Sequence, residues 1–189
     1  MALKRPEIRK EIVPEIPFPQ FLKRLHGLWE TGAHLSALGQ TGGGKTTTLI
    51  QVEDGRMTVV ALLTKLRDPL FAHLKRRHYK AVTKVGEWPA KDWHPKVMFH
   101  IPSTGLDRES SKRQAETISK ILHEVWRRGD VDLFIDEIAE LTDLLKLDTN
   151  LRILYKEARS SGVSIVAGTQ RASRVPLEMY SQPRFLFFW

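Results

Sequence analysis

Residues 39–46 read Gly39-Gln40-Thr41-Gly42-Gly43-Gly44-Lys45-Thr46. Half of this run is glycine, so the backbone can curl tightly and turn successive N–H groups toward one anion. Lys45 adds a cation able to reach terminal phosphates, and the Thr46 hydroxyl adds a hard oxygen ligand for Mg²⁺. The spacing G-x-x-x-x-G-K-[ST] therefore predicts a triphosphate cradle built from Gly39, Gln40, Thr41, Gly42, Gly43, Gly44, Lys45 and Thr46, with Thr47 on the helix turn that follows.

A second pair of groups supplies what a phosphate cradle lacks. The apolar run Val131-Asp132-Leu133-Phe134-Ile135 ends in Asp136-Glu137. An acidic residue after such a strand lies at the carboxyl edge of a parallel sheet, where open α/β folds bind ligands. Asp136 is expected to hold Mg²⁺ through water, and Glu137 to polarise a water for attack on the γ-phosphate of ATP. The alternative role for Asp136 is to cap the next helix. Other uses of the nucleotide fit less well. A guanine-reading [NT]-K-x-D motif is approached by Thr64-Lys65-Leu66-Arg67-Asp68, but that run has one residue too many and comes too early. Arg171, Arg174 and Arg184 are too sparse for a kinase lid.

The surrounding residues must position these groups. Residues 33–38 read as a short apolar strand before the cradle, and residues 45–51 as the helix after it. Further strands are expected at 57–63, 97–101, 131–135, 163–167 and 185–189. Helices are expected at 21–29, from Pro69 toward Tyr79 with Asp68 as N-cap, at 113–126 and over most of 144–159. Residues 86–95 read as a loop, and 103–112 as a polar, mobile segment. Alternating strands and helices predict an α/β fold, a three-layer arrangement with a mainly parallel central sheet. Residues 1–20, with Pro6, Pro14, Pro17 and Pro19, read as an extended arm, leaving 21–189 as one domain. The chain stops in the apolar run Phe185-Leu186-Phe187-Phe188-Trp189, as a shortened C-terminus would.

Composition narrows the class. With 189 residues, 41% of them hydrophobic and 28% charged, the chain can bury one ordinary core. There is no apolar run of membrane-spanning length, no signal-peptide pattern and no cysteine, which suits a cytoplasmic protein. The formal net charge of +8 suits a polyanionic partner, though it also suits simple solubility.

The segment from Tyr155 to Pro176 carries a resemblance. Arg159-Ser160-Ser161-Gly162 leads into the apolar strand, which ends in Thr169-Gln170-Arg171. Together with the glycine-rich cradle and Asp136-Glu137, in that order, this resembles the FtsK/HerA group of DNA-pumping ATPases over about residues 30–189. Thr64-Lys65-x-x-Asp68 is similar to phage and mobile-element members of the group. Ala172 departs from the proline that many relatives carry there. The resemblance implies a RecA/ASCE-type P-loop ATPase that uses ATP and Mg²⁺ and moves or packages double-stranded DNA as a homo-oligomeric ring, a pentamer or hexamer. It implies Gln170 as γ-phosphate sensor and a cation from the neighbouring subunit, with Arg159 the first candidate, then Arg171 and Arg174. A portal or secretion partner is also implied, and a bacterial, archaeal or virus-infected cytoplasm is the setting. The alternative is an assembly or secretion ATPase that does not move DNA. For DNA contact the residues offer the basic cluster 75–80, Arg108, Lys112 and Arg113 in a pore loop, and Lys91 and Lys96 around Trp88 and Trp93.

Overall fold

Seven short, largely apolar runs form the strands of a single sheet in the computed structural model, which describes residues 15–88 and 96–188. In chain order they are β1 (Leu35–Leu38), β2 (Val59–Leu63), β3 (Lys80–Val82), β4 (Lys96–His100), β5 (Asp132–Ile135), β6 (Ser164–Thr169) and β7 (Phe185–Phe188). The spatial order is β3-β4-β2-β5-β6-β1-β7, and every pairing is parallel. Parallel strands buried on both faces must be apolar at successive positions, which is why β2 reads Val-Val-Ala-Leu-Leu and is buried throughout.

The helices α1 (Phe18–Leu28), α2 (Lys45–Asp54), α3 (Pro69–Arg76), α4 (Arg108–Arg128), α5 (Asp148–Glu157) and α6 (Glu178–Ser181) cover the two faces. Alternate side chains along β2 show the division. Val59, Ala61 and Leu63 pack with Leu25 of α1, Leu49 and Val52 of α2, and Leu74 of α3. Val60 and Leu62 pack with Ile118 and Leu122 of α4, Leu151 and Tyr155 of α5, and Met179 of α6. The expected three layers with a parallel centre are present.

Several element boundaries differ from the sequence reading, for local reasons. Helix α1 starts at Phe18, inside the stretch expected to be extended, because Pro17 and Pro19 fall at its cap and first turn, where a missing N–H costs nothing. The sequence of residues 1–14 lies outside the described residues. The segment 103–112 is not all loop. Asp107 accepts a hydrogen bond from the Ser110 N–H at 2.8 Å, so α4 begins at Arg108 and places Arg108, Lys112 and Arg113 on a helix. Strand β3 was not anticipated. Only Val82 of its three residues is buried, so it has no apolar run to give it away. A π turn at Glu140–Leu144 and the short helix α6 were likewise unread. Lys91 and Trp93 lie outside the described residues.

Candidate functional site

The glycine run leaves the end of β1 and turns into α2 at one edge of the sheet. Gly42 and Gly44 have φ of 82° and 91°, in the left-handed region where a side chain is strained, and Gly44 is the N-cap of α2. Thr41 through Gly44 are exposed, forming an open rim. Lys45 is buried beneath it, its Nζ donating to the carbonyls of Gly39 at 2.7 Å and Gln40 at 2.9 Å. The ammonium is thus held inside the curl, ready to exchange loop carbonyls for phosphate oxygens.

Strand order explains how distant residues meet here. Strand β6 lies between β1 and β5, so the ends of β1, β6 and β5 stand side by side at one edge. Thr46 Oγ1 donates to Asp136 Oδ1 at 2.6 Å, which joins the cradle to the end of β5. Thr41 Oγ1 donates to Gln170 Oε1 at 2.6 Å, joining it also to the end of β6. Glu137 is held by β6 in turn. Its carboxylate accepts from Thr169 Oγ1 at 2.8 Å and from the Gln170 N–H at 3.0 and 3.3 Å. Of the residues expected to act on a nucleotide, Gly39 to Thr47, Asp136, Glu137 and Gln170 therefore converge at this one edge. The adjoining hydroxyl of Thr46 and carboxylate of Asp136 are oxygen donors of the kind Mg²⁺ takes.

Arg159 is not among them. It sits in the 3₁₀ turn Ala158–Ser161, which packs against Gly32 ahead of β1, at the opposite edge of the sheet. There it faces Glu30 at 3.9 Å, with its side chain 74% exposed. Arg171 and Arg174 do lie at the edge that carries the glycine-rich cradle, facing Asp143 of the π turn at 3.8 and 3.2 Å.

Three contributors escaped the sequence reading. Gly168 is required because a Cβ there would stand 2.4 Å from the Asp136 carbonyl oxygen. Only glycine lets β6 come close enough to put the Gln170 N–H on Glu137. Glu140 ties the end of β2 to this edge, accepting from Thr64 Oγ1 and pairing with Lys65 Nζ at 3.2 Å. Burial pulls the Lys65 ammonium down, but Glu140, with Asp68 and Asp136, more than offsets it and the Lys65 pKa is raised. The third is the part played by Thr169, which was read as the end of the motif strand but not as a partner of Glu137. The Thr64-Lys65-x-x-Asp68 run was noticed as a pattern, and its geometry now has a cause: Thr64 and Lys65 hold Glu140, while Asp68 caps α3 by accepting from the Leu70 N–H at 3.0 Å.

Some of the basic residues considered for a polyanion are occupied otherwise. Lys96 Nζ donates to the Glu53 and Asp54 carbonyls at 2.8 and 3.1 Å, closing the end of α2, and Arg77 pairs with Asp54 at 3.0 Å. Lys75, Arg76 and Lys80 remain exposed.

No protein-family model matches the sequence, and no curated protein does. Solved structures match it in shape. The genome-packaging NTPase B204 of Sulfolobus turreted icosahedral virus 2, in complex with AMPPCP, aligns with a TM-score of 0.58 at 12% identity, over 85% of this chain and 76% of that one. The fold is that of a P-loop NTPase. The cytoplasmic domain of EssC aligns with a TM-score of 0.55 at 15% identity, and the type VII secretion ATPase EccC of Thermomonospora curvata with 0.52 at 16%. This chain spans 31% of the EssC chain and 20% of the EccC chain. The three-layer RecA/ASCE architecture that follows from the FtsK/HerA resemblance is the one adopted. Among the described residues, no helix is long and apolar enough to cross a membrane.

Proposed function

We propose that this chain is an ATPase motor domain that couples ATP hydrolysis to the movement or packaging of double-stranded DNA. The observation that carries the ATPase reading is the hydrogen-bonded circuit linking cradle, Asp136, Glu137 and Gln170 across three strand ends. Loop N–H groups and Lys45 hold the triphosphate. Thr46 and Asp136 hold Mg²⁺, which when bound supplies charge neutralisation at the phosphates. Glu137 accepts the proton of the attacking water. The Gln170 amide, whose Oε1 accepts from Thr41, turns to donate its NH2 group to the γ-phosphate, so that loss of that group is felt along β6.

Arg159 stands at the far edge of its own sheet, away from the cradle of its own chain. In a homo-oligomeric ring, five- or six-membered, it is the first candidate for the cation offered to a neighbour's phosphates. The net charge of +8 favours a polyanionic track, and the extent of the match to B204, most of both chains, favours a packaging role in the cytoplasm. A second reading, a secretion-associated ATPase that moves no DNA, is favoured by the likeness to EssC and EccC.

The deciding experiment is phosphate release by the purified full chain with and without duplex DNA. A motor on DNA is stimulated severalfold, with DNA binding that weakens steeply as salt rises. An unchanged rate across DNA concentrations rejects the DNA motor and leaves the secretion reading.

A further inference from the structure

Thr169 is fully buried at the end of β6, and its hydroxyl is committed on both sides. It donates to Glu137 Oε1 at 2.8 Å and accepts the Arg171 N–H at 3.0 Å. With its one proton on Glu137 and a lone pair filled by the next turn, the rotor has a single satisfied orientation. The backbone N–H of Gln170 fixes the other oxygen of the same carboxylate at 3.0 Å. The Gln170 side chain meanwhile reaches the cradle through Thr41. Cradle, sensor segment and carboxylate are therefore joined at two successive residues, Gln170 by side chain and main chain and Thr169 by its hydroxyl.

We propose that Thr169 is a positioning residue for hydrolysis: its hydroxyl aims the Glu137 carboxylate and ties that aim to the conformation of residues 170–174. The inference rests on Glu137 acting as the base. Thr169, its hydroxyl committed to Glu137 and the Arg171 N–H, works through Glu137. A valine at this position keeps the volume and the β-branch that suit a strand while removing both hydrogen bonds. Serine keeps both hydrogen bonds.

The test measures steady-state ATP hydrolysis and nucleotide affinity on the full chain. Thr169→Val is expected to lower kcat about tenfold, as loss of aim at a general base does, with nucleotide Kd unchanged. Thr169→Ser is expected to restore kcat to near wild type. Because Thr169 acts through Glu137, the double variant Thr169→Val with Glu137→Gln is expected to be no slower than Glu137→Gln alone. Thr169→Ala provides a second hydroxyl-free variant should valine impair folding, and it is expected to match the valine result. Wild-type kcat in the hydroxyl-free variants, a parallel loss of nucleotide affinity, failure of serine to rescue, or additive loss in the double variant each overturns the proposal. If Glu137→Gln is inactive while Thr169→Val is normal, only this inference fails. An active Glu137→Gln removes the base itself and the inference with it.

Discussion

The two edges of the sheet treat polar groups in opposite ways. At the nucleotide edge, Thr41, Thr46, Asp136, Glu137 and Gln170 are exposed or half-buried, and each is held by one or a few short side-chain bonds. At the other edge, beside the exposed pair Arg159–Glu30, several polar groups are sealed in. Arg56 pairs with buried Asp132 and lies over the Trp29 ring at 4.9 Å. Glu53 at the end of α2 is fully buried, and neither of its carboxyl oxygens has a hydrogen-bond partner. His34 is buried at the start of β1, accepting the Ile165 N–H on Nδ1 at 3.0 Å and meeting the Tyr155 carbonyl with Nε2 at 3.2 Å. Bonds at the first edge can be exchanged for those of a ligand without unpacking the core. Bonds at the second cannot be broken without leaving a buried group bare. Substitutions at the nucleotide edge should therefore alter chemistry, and those of the buried groups at the far edge should alter stability.

Lys45→Ala sets up the largest contrast. Nucleotide affinity is expected to fall more than about a hundredfold, since the one cation inside the cradle is gone. Thermal unfolding should move by only a few degrees, because the ammonium bonds nothing but its own loop. Titration with a fluorescent ATP analogue, alongside a melting curve, checks both. A variant that unfolds instead would break the division between the edges. Glu137→Gln follows, with kcat down roughly 10²–10⁴-fold and ATP still bound, read by single-turnover hydrolysis. Turnover near wild type would remove Glu137 from the chemistry.

How far each edge was legible follows from the same division. The cradle is contiguous in the chain, so its glycines, Lys45 and Thr46 were readable as a spacing. Asp136-Glu137 and Thr169-Gln170 were readable because each ends an apolar strand. The bonds among them depend on β6 lying between β1 and β5, an order that no local pattern states. Gly168 looked like an ordinary strand residue for that reason, and the bond from Thr169 to Glu137 could not be read. Glu140 sat unremarked in a π turn whose one extra residue per turn leaves no hydrophobic period to read. Of the far edge almost nothing was legible. Lys96 was read as a basic candidate for DNA, whereas it closes α2, and nothing about Glu53 in a helix signals that both its oxygens will be buried.

His34 gives the far edge an acid limit. Burial lowers its pKa to about 4, from an ordinary value near 6.5. The unfolded chain takes up a proton that the folded chain refuses, so stability is lost as pH falls through that window. The loss is about 2 kcal/mol by pH 5. Urea unfolding at pH 7 and pH 5 measures it. Replacing His34 with Gln should lower stability at pH 7 yet flatten the dependence, and a variant with the wild-type slope would assign the acid limit elsewhere.

Glu53 should give the smaller effect, of the opposite sense. Burial, then the nearby Asp132 carboxylate, raise its pKa well above the ordinary carboxylate range, while Arg56 and Lys96 pull the other way. A raised folded pKa means that the fold prefers the protonated form. Full stability is present below the unfolded value near 4.5 and declines as pH rises through the folded value. At neutral pH the carboxyl either keeps its proton against the solvent or is charged without a hydrogen bond, and both are costly. Glu53→Gln fixes the uncharged state at nearly constant volume. It should raise stability by about 1 kcal/mol at pH 8, with little change at pH 5, since an amide still lacks a partner there. His34 makes wild type the more stable at pH 8, so the difference in urea midpoint between the two pH values should widen relative to wild type, with ATP turnover untouched. If turnover changed while the midpoint did not, the far edge would be coupled to the chemistry, and the contrast between the edges would fail.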